Sequence, residues 1–297
     1  MDAAARTHRT HVVCFEEAGD CTLEHIAREA ADGDTVLALG PEAFALRLKA
    51  LGLREQVGIE SIGRSVGGRY RTARLGSGAA GADAILAYGR RAADAVPSAR
   101  PAPLPESLPV APGWSVERRT RVRRELGLAR GDFAVLLAAD PTEWIDLLFA
   151  CRAAAMARVA GAPLRLVVSP RVPRIERASD FLAQASGGGE IIRDARAERP
   201  WELLPALDAS IHDADGAAHQ PVECAGWRML PIDRASSMSP LPALWSLACA
   251  KPALVHRTIE LGSHASHPLV DRFDDGSVAE LARALHARAT SASAASR

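Results

Sequence analysis

The chain has 297 residues with 36 basic and 36 acidic side chains, so its formal net charge is zero. A general nucleic-acid binder needs an excess of basic groups to release counterions, and this balance excludes that class. The five cysteines are scattered without a C-x-x-C pair, which argues against a disulfide framework. No run approaches the ~20 apolar residues of a membrane span. We therefore expect a cytoplasmic protein, with peripheral contact to a membrane left open.

Strand-like and helix-like segments alternate through the first third of the chain. Strands are predicted at 11–15, 35–40, 57–62 and 84–88, and helices at 23–31, 41–51 and 90–96. Repeated β-α-β units imply a parallel sheet with helices on its faces. Residues 1–96 are therefore predicted to form an N-terminal α/β domain.

A proline-rich stretch, residues 97–114, separates this pattern from a second one. It is too dense in proline for a helix or a central strand, which favours an extended linker over a long loop within one domain. Beyond it, strands are predicted at 133–138, 164–168, 190–193, 209–212 and 253–255, and helices at 116–126, 143–159, 175–184, 201–207 and 278–289. We expect a C-terminal α/β domain at 115–289 and a disordered tail at 290–297.

A serine cluster followed by a short apolar helix is the strongest candidate for a ligand site. Ser236, Ser237 and Ser239 lead into Pro240, which is predicted to occupy the first helical position. Unpaired amides at 241–243, beginning with Leu241, and the helix dipole would attract an anion, and the serine hydroxyls would hold phosphate oxygens. The alternative is an ordinary N-capped core helix.

The end of this helix, Ala-Cys-Ala-Lys-Pro at 248–252, resembles the "EAMACGKPVVA"-like helix of nucleotide-sugar glycosyltransferases of the GT-B type, specifically the retaining group-1, family-4 kind. Residues 123–128 resemble the entry into the C-terminal domain of that family, and 133–137 its first strand. Residues 140–148, 163–168 and 200–207 resemble, in order, the turn and helix that follow, the second strand, and the short helix before the pyrophosphate loop.

The resemblance implies two doubly wound Rossmann-like α/β domains, of which the N-terminal, acceptor-side domain is shortened. It implies transfer of a hexose from a nucleotide-sugar donor to an unknown acceptor, with neither a metal nor a cofactor. The donor would lie in the second domain, where Arg171 and Arg196 follow predicted strands as candidate cations. His212 closes another predicted strand, as a site residue or as an edge histidine.

The chain departs from the resembled family at four positions. Ser237 and Trp245 stand where retaining members place two glutamates, and Ala138 and Glu143 stand where an Arg and a Lys neutralise the leaving diphosphate. The catalytic residues are therefore unknown. A non-catalytic GT-B scaffold that binds a nucleotide sugar or a protein partner is the alternative hypothesis.

An arginine-rich loop in the first domain is a second candidate site. Residues 61–82 contain no acid, while Arg64, Arg69 and Arg71 are interspersed with glycines. Such a loop suits an anionic acceptor or a diphosphate, or is a solvated surface loop. Its G-x-S-x-G at 63–67 also leaves open a hydrolase that uses Ser65 as nucleophile, a third hypothesis.

Overall fold

The computed structural model describes residues 8–15, 20–40, 44–46, 58–62, 81–88, 90–138, 147–172, 175–187, 191–212, 240–274 and 277–295. The chain divides into two compact units, Met1–Leu104 and Pro105–Arg297. The division falls within the proline-rich stretch. Each unit is a parallel sheet with helices, so the predicted fold class, two doubly wound α/β domains, is confirmed.

The first unit contains five strands among its described residues, in the order β3-β2-β1-β4-β5, and every pairing is parallel. Its elements are β1 (Arg9–Cys14), α1 (Asp20–Glu29), β2 (Thr35–Leu39), β3 (Gly58–Ile62), β4 (Ala84–Tyr88), α2 (Arg90–Ala95) and β5 (Arg100–Pro101). Residues 44–46 are also helical.

Both faces of this sheet are covered, which explains why its central strand, β1, is buried from Thr10 to Cys14. Val13 packs with Leu23 and Ile26 of α1 on one face. Val12 packs with Ala92 of α2 on the other. A parallel strand buried on both faces carries no alternation of polar and apolar residues.

The second unit has six strands among its described residues, in the order β11-β10-β9-β6-β7-β8, again all parallel. Its strands are β6 (Phe133–Leu137), β7 (Leu164–Val168), β8 (Ile192–Arg193), β9 (Ala209–His212), β10 (Ala253–His256) and β11 (Val270–Phe273). Its α-helices are α3 (Val116–Glu125), α4 (Leu147–Val159), α5 (Ile175–Ser186), α6 (Pro200–Leu203), α7 (Leu241–Ala248) and α8 (Val278–Ala295). Short 3₁₀ turns occupy Ala195–Glu198, Leu204–Ala206 and Gly262–Ser266.

Three sequence-based expectations are wrong. Arg100 and Pro101, within the predicted linker, form β5, an edge strand, where proline is tolerated because one side needs no ladder bond. The predicted disordered tail is helical as far as Ala295, since α8 continues and Ala292 packs against the core. Pro240 is the N-cap of α7 and not its first residue, and Pro242 lies in the first turn instead.

A buried polar network lies beneath α1 in the first unit. His11 Nε2 is 3.2 Å from the carboxylate of Asp34, and His11 Nδ1 is 2.8 Å from the hydroxyl of Tyr88. Asp34 also accepts bonds from the backbone amides of Arg9 and Ala31. A carboxylate only accepts, so His11 donates through Nε2 and the Tyr88 hydroxyl donates to Nδ1. Burial lowers the pKa of His11, which keeps the imidazole neutral.

Replacing Tyr88 by phenylalanine is expected to destabilise the first unit by about 1–3 kcal/mol, because the buried Nδ1 of His11 loses its donor. Hydrogen exchange followed by mass spectrometry on peptides that contain β1 and β4 measures the effect. Faster exchange in both strands is expected. Unchanged exchange in β1 would show that the hydroxyl contributes nothing.

Candidate functional site

The strand order of the second unit reverses between β6 and β9, and this point fixes the candidate site. All six strands are parallel, so their carboxyl ends share one edge of the sheet. In open α/β sheets, ligands bind in the crevice outside this edge, at the point where the order reverses. β6 ends at Leu137 and β9 at His212, so these two ends define the crevice.

Two of the predicted groups of site residues lie outside the described residues. One group, Ser236, Ser237 and Ser239, belongs to residues 213–239, which come after β9 in the sequence. The arginine-rich loop of the first unit, with Arg64, Arg69 and Arg71, also falls outside. These residues remain predictions.

The helix α7 directs its N-terminus at the crevice. It connects β9 to the parallel strand β10, so it runs back along the sheet and begins at the carboxyl edge. The Leu244 amide donates to the carbonyl of Pro240 at 3.1 Å, which closes the first turn. Pro242 has no N–H, and the Ala243 amide lies in the first turn, where helical amides have no intrahelical acceptor, so it can donate to an anion.

His212 is buried, with its side chain in contact with α7. Its Nε2 lies 2.7 Å from Ser210 Oγ and 3.3 Å from Ser246 Oγ, and the two hydroxyls are 2.6 Å apart. Ser246 also donates to the carbonyl of Pro242 at 3.2 Å. The cluster thus connects the end of β9 to the first turn of α7. Complete burial lowers the pKa of His212 to about 3, so the imidazole is neutral.

The sequence contained a usable signal for this cluster. Ser210 and His212 are two positions apart on β9 and so share one face of the sheet. Their partner, Ser246, is a polar residue within an apolar helix. The pairing itself depends on how α7 packs on the sheet, which local pattern does not encode.

Trp245 stands where the resembled family places a glutamate, and it is buried with only 4% of its surface exposed. Its ring lies 5.1 Å from that of Trp201 in α6, centroid to centroid. This position therefore contributes to packing between α6 and α7, and it presents no carboxylate to a ligand.

Arg171 follows β7 at the same carboxyl edge. Its Nε is 3.2 Å from Glu198 Oε1, and its backbone amide donates to Ser169 Oγ at 3.1 Å. The hydroxyl of Ser169 donates to Glu198 at 2.7 Å. Glu198 is nearly buried while the Arg171 side chain is 64% exposed. The salt bridge orients this guanidinium, and most of its surface remains accessible to a ligand.

Arg196, the second predicted cation, is held by carboxylates. Its Nε and Nη2 donate to the two oxygens of Asp194 at 2.9 and 2.7 Å, and its Nη1 donates to Glu125 at 3.0 Å. Hydrogen bonds from Arg196 lower the pKa of Asp194, and Asp194 in turn raises the pKa of Arg196. Two negative charges offset this guanidinium, which makes Arg171 the better placed cation.

Among the described residues, no group of three or more His, Cys, Asp and Glu side chains lies close enough to bind a metal ion. Within the same part of the chain, no helix has both the length and the apolar character needed to cross a membrane.

The two parallel sheets, each with its helices, define a doubly wound α/β fold. Comparison with solved structures makes the class more specific. A glycosyltransferase from Rickettsia africae has a TM-score of 0.58 at 10% identity, over 96% of this chain and 89% of its own. WaaG, a glycosyltransferase involved in lipopolysaccharide biosynthesis, has a TM-score of 0.53 at 11% identity, over 95% and 90%.

Anabaena HepE, solved in complex with UDP-glucose, has a TM-score of 0.52 at 12% identity, over 98% of this chain and 94% of its own. No family model and no curated protein matches the sequence. The fold is that of the GT-B glycosyltransferases, as the resemblance implied. Since the identities are so low, the likeness concerns the fold.

Proposed function

We propose that this protein is a glycosyltransferase that binds a nucleotide-sugar donor at the crevice of its second unit and transfers a hexose to an acceptor. The observation that carries the proposal is the α7 N-terminus, which begins at the switch point of a GT-B fold. Two proteins of similar fold support it, since WaaG is described as a glycosyltransferase and HepE was solved with UDP-glucose. We further propose a cytoplasmic location.

The chemistry requires that charge on the departing diphosphate be offset as the bond to the sugar breaks. The dipole of α7 and the Ala243 amide supply fixed positive potential there, and Arg171 supplies a full charge. Ser236, Ser237 and Ser239 precede the helix and would bind phosphate oxygens. No metal or cofactor is needed in this proposal. The acceptor would bind on the side of the first unit, with Arg64, Arg69 and Arg71 attracting an anionic group.

One observation favours a second candidate function, a scaffold that binds a nucleotide sugar or a protein without turnover. Trp245 packs on Trp201 at a position where the resembled family carries a glutamate. Ala138, which follows β6, likewise offers no charge where that family has a basic residue. A scaffold would retain the helix N-terminus and lack these groups.

Calorimetric titration with UDP, GDP, ADP and their hexose conjugates tests the donor site. We expect one nucleotide to bind in the micromolar range. Ser239→Asp is expected to abolish that binding through charge repulsion, and Arg171→Gln to weaken it by about tenfold, since a charge-assisted bond to phosphate is lost. Arg177→Gln, the same change on the exposed surface of α5, serves as the control.

Turnover separates the two functions. Release of the nucleoside diphosphate, with or without an added acceptor, would identify an enzyme, whereas binding without release would identify a scaffold. If no nucleotide binds even at millimolar concentration, the donor-site proposal is wrong.

A further inference from the structure

A depression of about 650 Å³ lies at the opposite edge of the second sheet from the crevice. Phe133, the first residue of β6, and Asp208, which directly precedes β9, both line it, so it lies at the amino ends of the strands. Its sides are α3 and the last turns of α8. This location is separate from the donor crevice, and the inference does not depend on the proposed function.

Four arginines line the depression: Arg119, Arg123, Arg124 and Arg130. Arg123 is nearly buried and structural, since it donates to Asp208 Oδ2 at 2.9 Å and to the carbonyl of Asp132 at 2.6 Å. Arg119 is half exposed and approaches the other oxygen of Asp208 at 3.2 Å. One carboxylate is therefore shared by two guanidinium groups.

Arg124 and Arg130 are exposed, and neither forms an ion pair with any residue that the structure describes. Asp132 is the second carboxylate of the depression, and it accepts the Ala129 amide at 2.8 Å. Four guanidinium groups thus face two carboxylates, both of which already accept hydrogen bonds. The residues that line the depression therefore carry more positive than negative charge.

We propose that this depression binds a phosphate-bearing anion. Arg124 and Arg130 would donate to the phosphate oxygens, because the planar guanidinium fork matches phosphate geometry and is weakly hydrated. Val116 and Leu128 give the depression an apolar wall for the organic part of the ligand. The same chemistry is offered by a soluble phosphate monoester and by the headgroup of an anionic lipid.

An NMR titration of the full chain with inorganic phosphate tests the site, with the Gly131 amide as the reporter because Gly131 lines the depression. We expect saturable shifts in the wild type. The pair Arg124→Gln/Arg130→Gln is expected to weaken binding by about tenfold or more. The matched control, Arg121→Gln/Arg177→Gln, removes the same charge from exposed positions that do not line the depression, and is expected to bind as the wild type does.

A second measurement identifies the source of the phosphate, by cosedimentation with vesicles of phosphatidylcholine that contain phosphatidic acid. Vesicle binding that is lost in the site pair and kept in the control pair would assign a lipid headgroup. Vesicle binding equal in both pairs, together with the phosphate shifts, would assign a soluble phosphate compound. The proposal is overturned if Gly131 shows no saturable shift, or if the control pair loses phosphate binding as fully as the site pair.

Discussion

Replacing Arg123 by leucine is expected to lower the free energy of unfolding of the second unit by about 3–5 kcal/mol, the usual cost of breaking a buried ion pair. The Arg123 side chain is 14% exposed and Asp208 16% exposed. Arg123 also donates to the carbonyls of Ala206 and Asp132. Asp208 in turn accepts the Ala134 amide of β6 at 2.8 Å. Loss of the guanidinium would leave a partly buried carboxylate undercompensated and two carbonyls without this donor.

Urea unfolding followed by tryptophan fluorescence measures this effect selectively, because all five tryptophans lie after residue 105, within the second unit. The control is Arg121→Leu on the same helix. Its side chain is 68% exposed and lies 3.9 Å from Glu125, so its loss should change stability by less than about 0.5 kcal/mol. Equal effects of the two changes would show that the Arg123 contacts contribute little.

The regular parts of the fold were predictable from local pattern. The strands Ala84–Tyr88, Leu164–Val168 and Ala209–His212 have the predicted bounds. Ala84–Tyr88 and Leu164–Val168 are short, largely apolar segments between turn signals, a pattern that predicts a buried strand.

The missed elements owe their structure to tertiary contacts. Strand β11 carries Asp271 and Arg272, which break an apolar pattern. The chain satisfies both charges, since Asp271 pairs with Arg288 at 2.7 Å and Arg272 donates to the carbonyl of Ile259 at 2.7 Å. The end of α8 looks like a polar tail, yet Ala292 packs on the core. The local sequence does not identify these contact partners, which are distant along the chain.

The candidate site was predictable in position but less so in its contacts. The alternation of strands and helices in the sequence predicts a parallel sheet. In such a sheet, ligands bind at the carboxyl ends of the strands. The sequence did not show which of the two candidate arginines is available to a ligand. Arg171 and Arg196 look equivalent in sequence, but Arg196 is held by Asp194 and Glu125, which are 2 and 71 positions away. The contact with Glu125, which is distant in sequence, therefore makes Arg196 the less available of the two arginines.

His212 is expected to make the stability of the second unit fall as the pH drops below about 6.5, the ordinary pKa of histidine. Burial lowers its pKa to about 3 in the folded state, so between these values the unfolded chain binds a proton that the folded chain does not. Stability therefore rises with pH through this window and levels off above it. The loss should be about 2–3 kcal/mol between pH 6.5 and pH 4.5, on top of any effect of carboxylates.

A variant without the titrating group isolates this contribution. Glutamine places an amide near the position of Nε2, so His212→Gln keeps a partner for Ser210 while removing the titration. Urea unfolding by tryptophan fluorescence at a series of pH values should give the variant a shallower slope below pH 6.5, although it is less stable at pH 7. His286→Gln, on the surface of α8, should leave the wild-type slope unchanged. If stability depends on pH with the same slope in His212→Gln as in the wild type, His212 is not the group that destabilises the unit in acid. The cluster with Ser210 and Ser246 would then open enough for His212 to be protonated in the folded state.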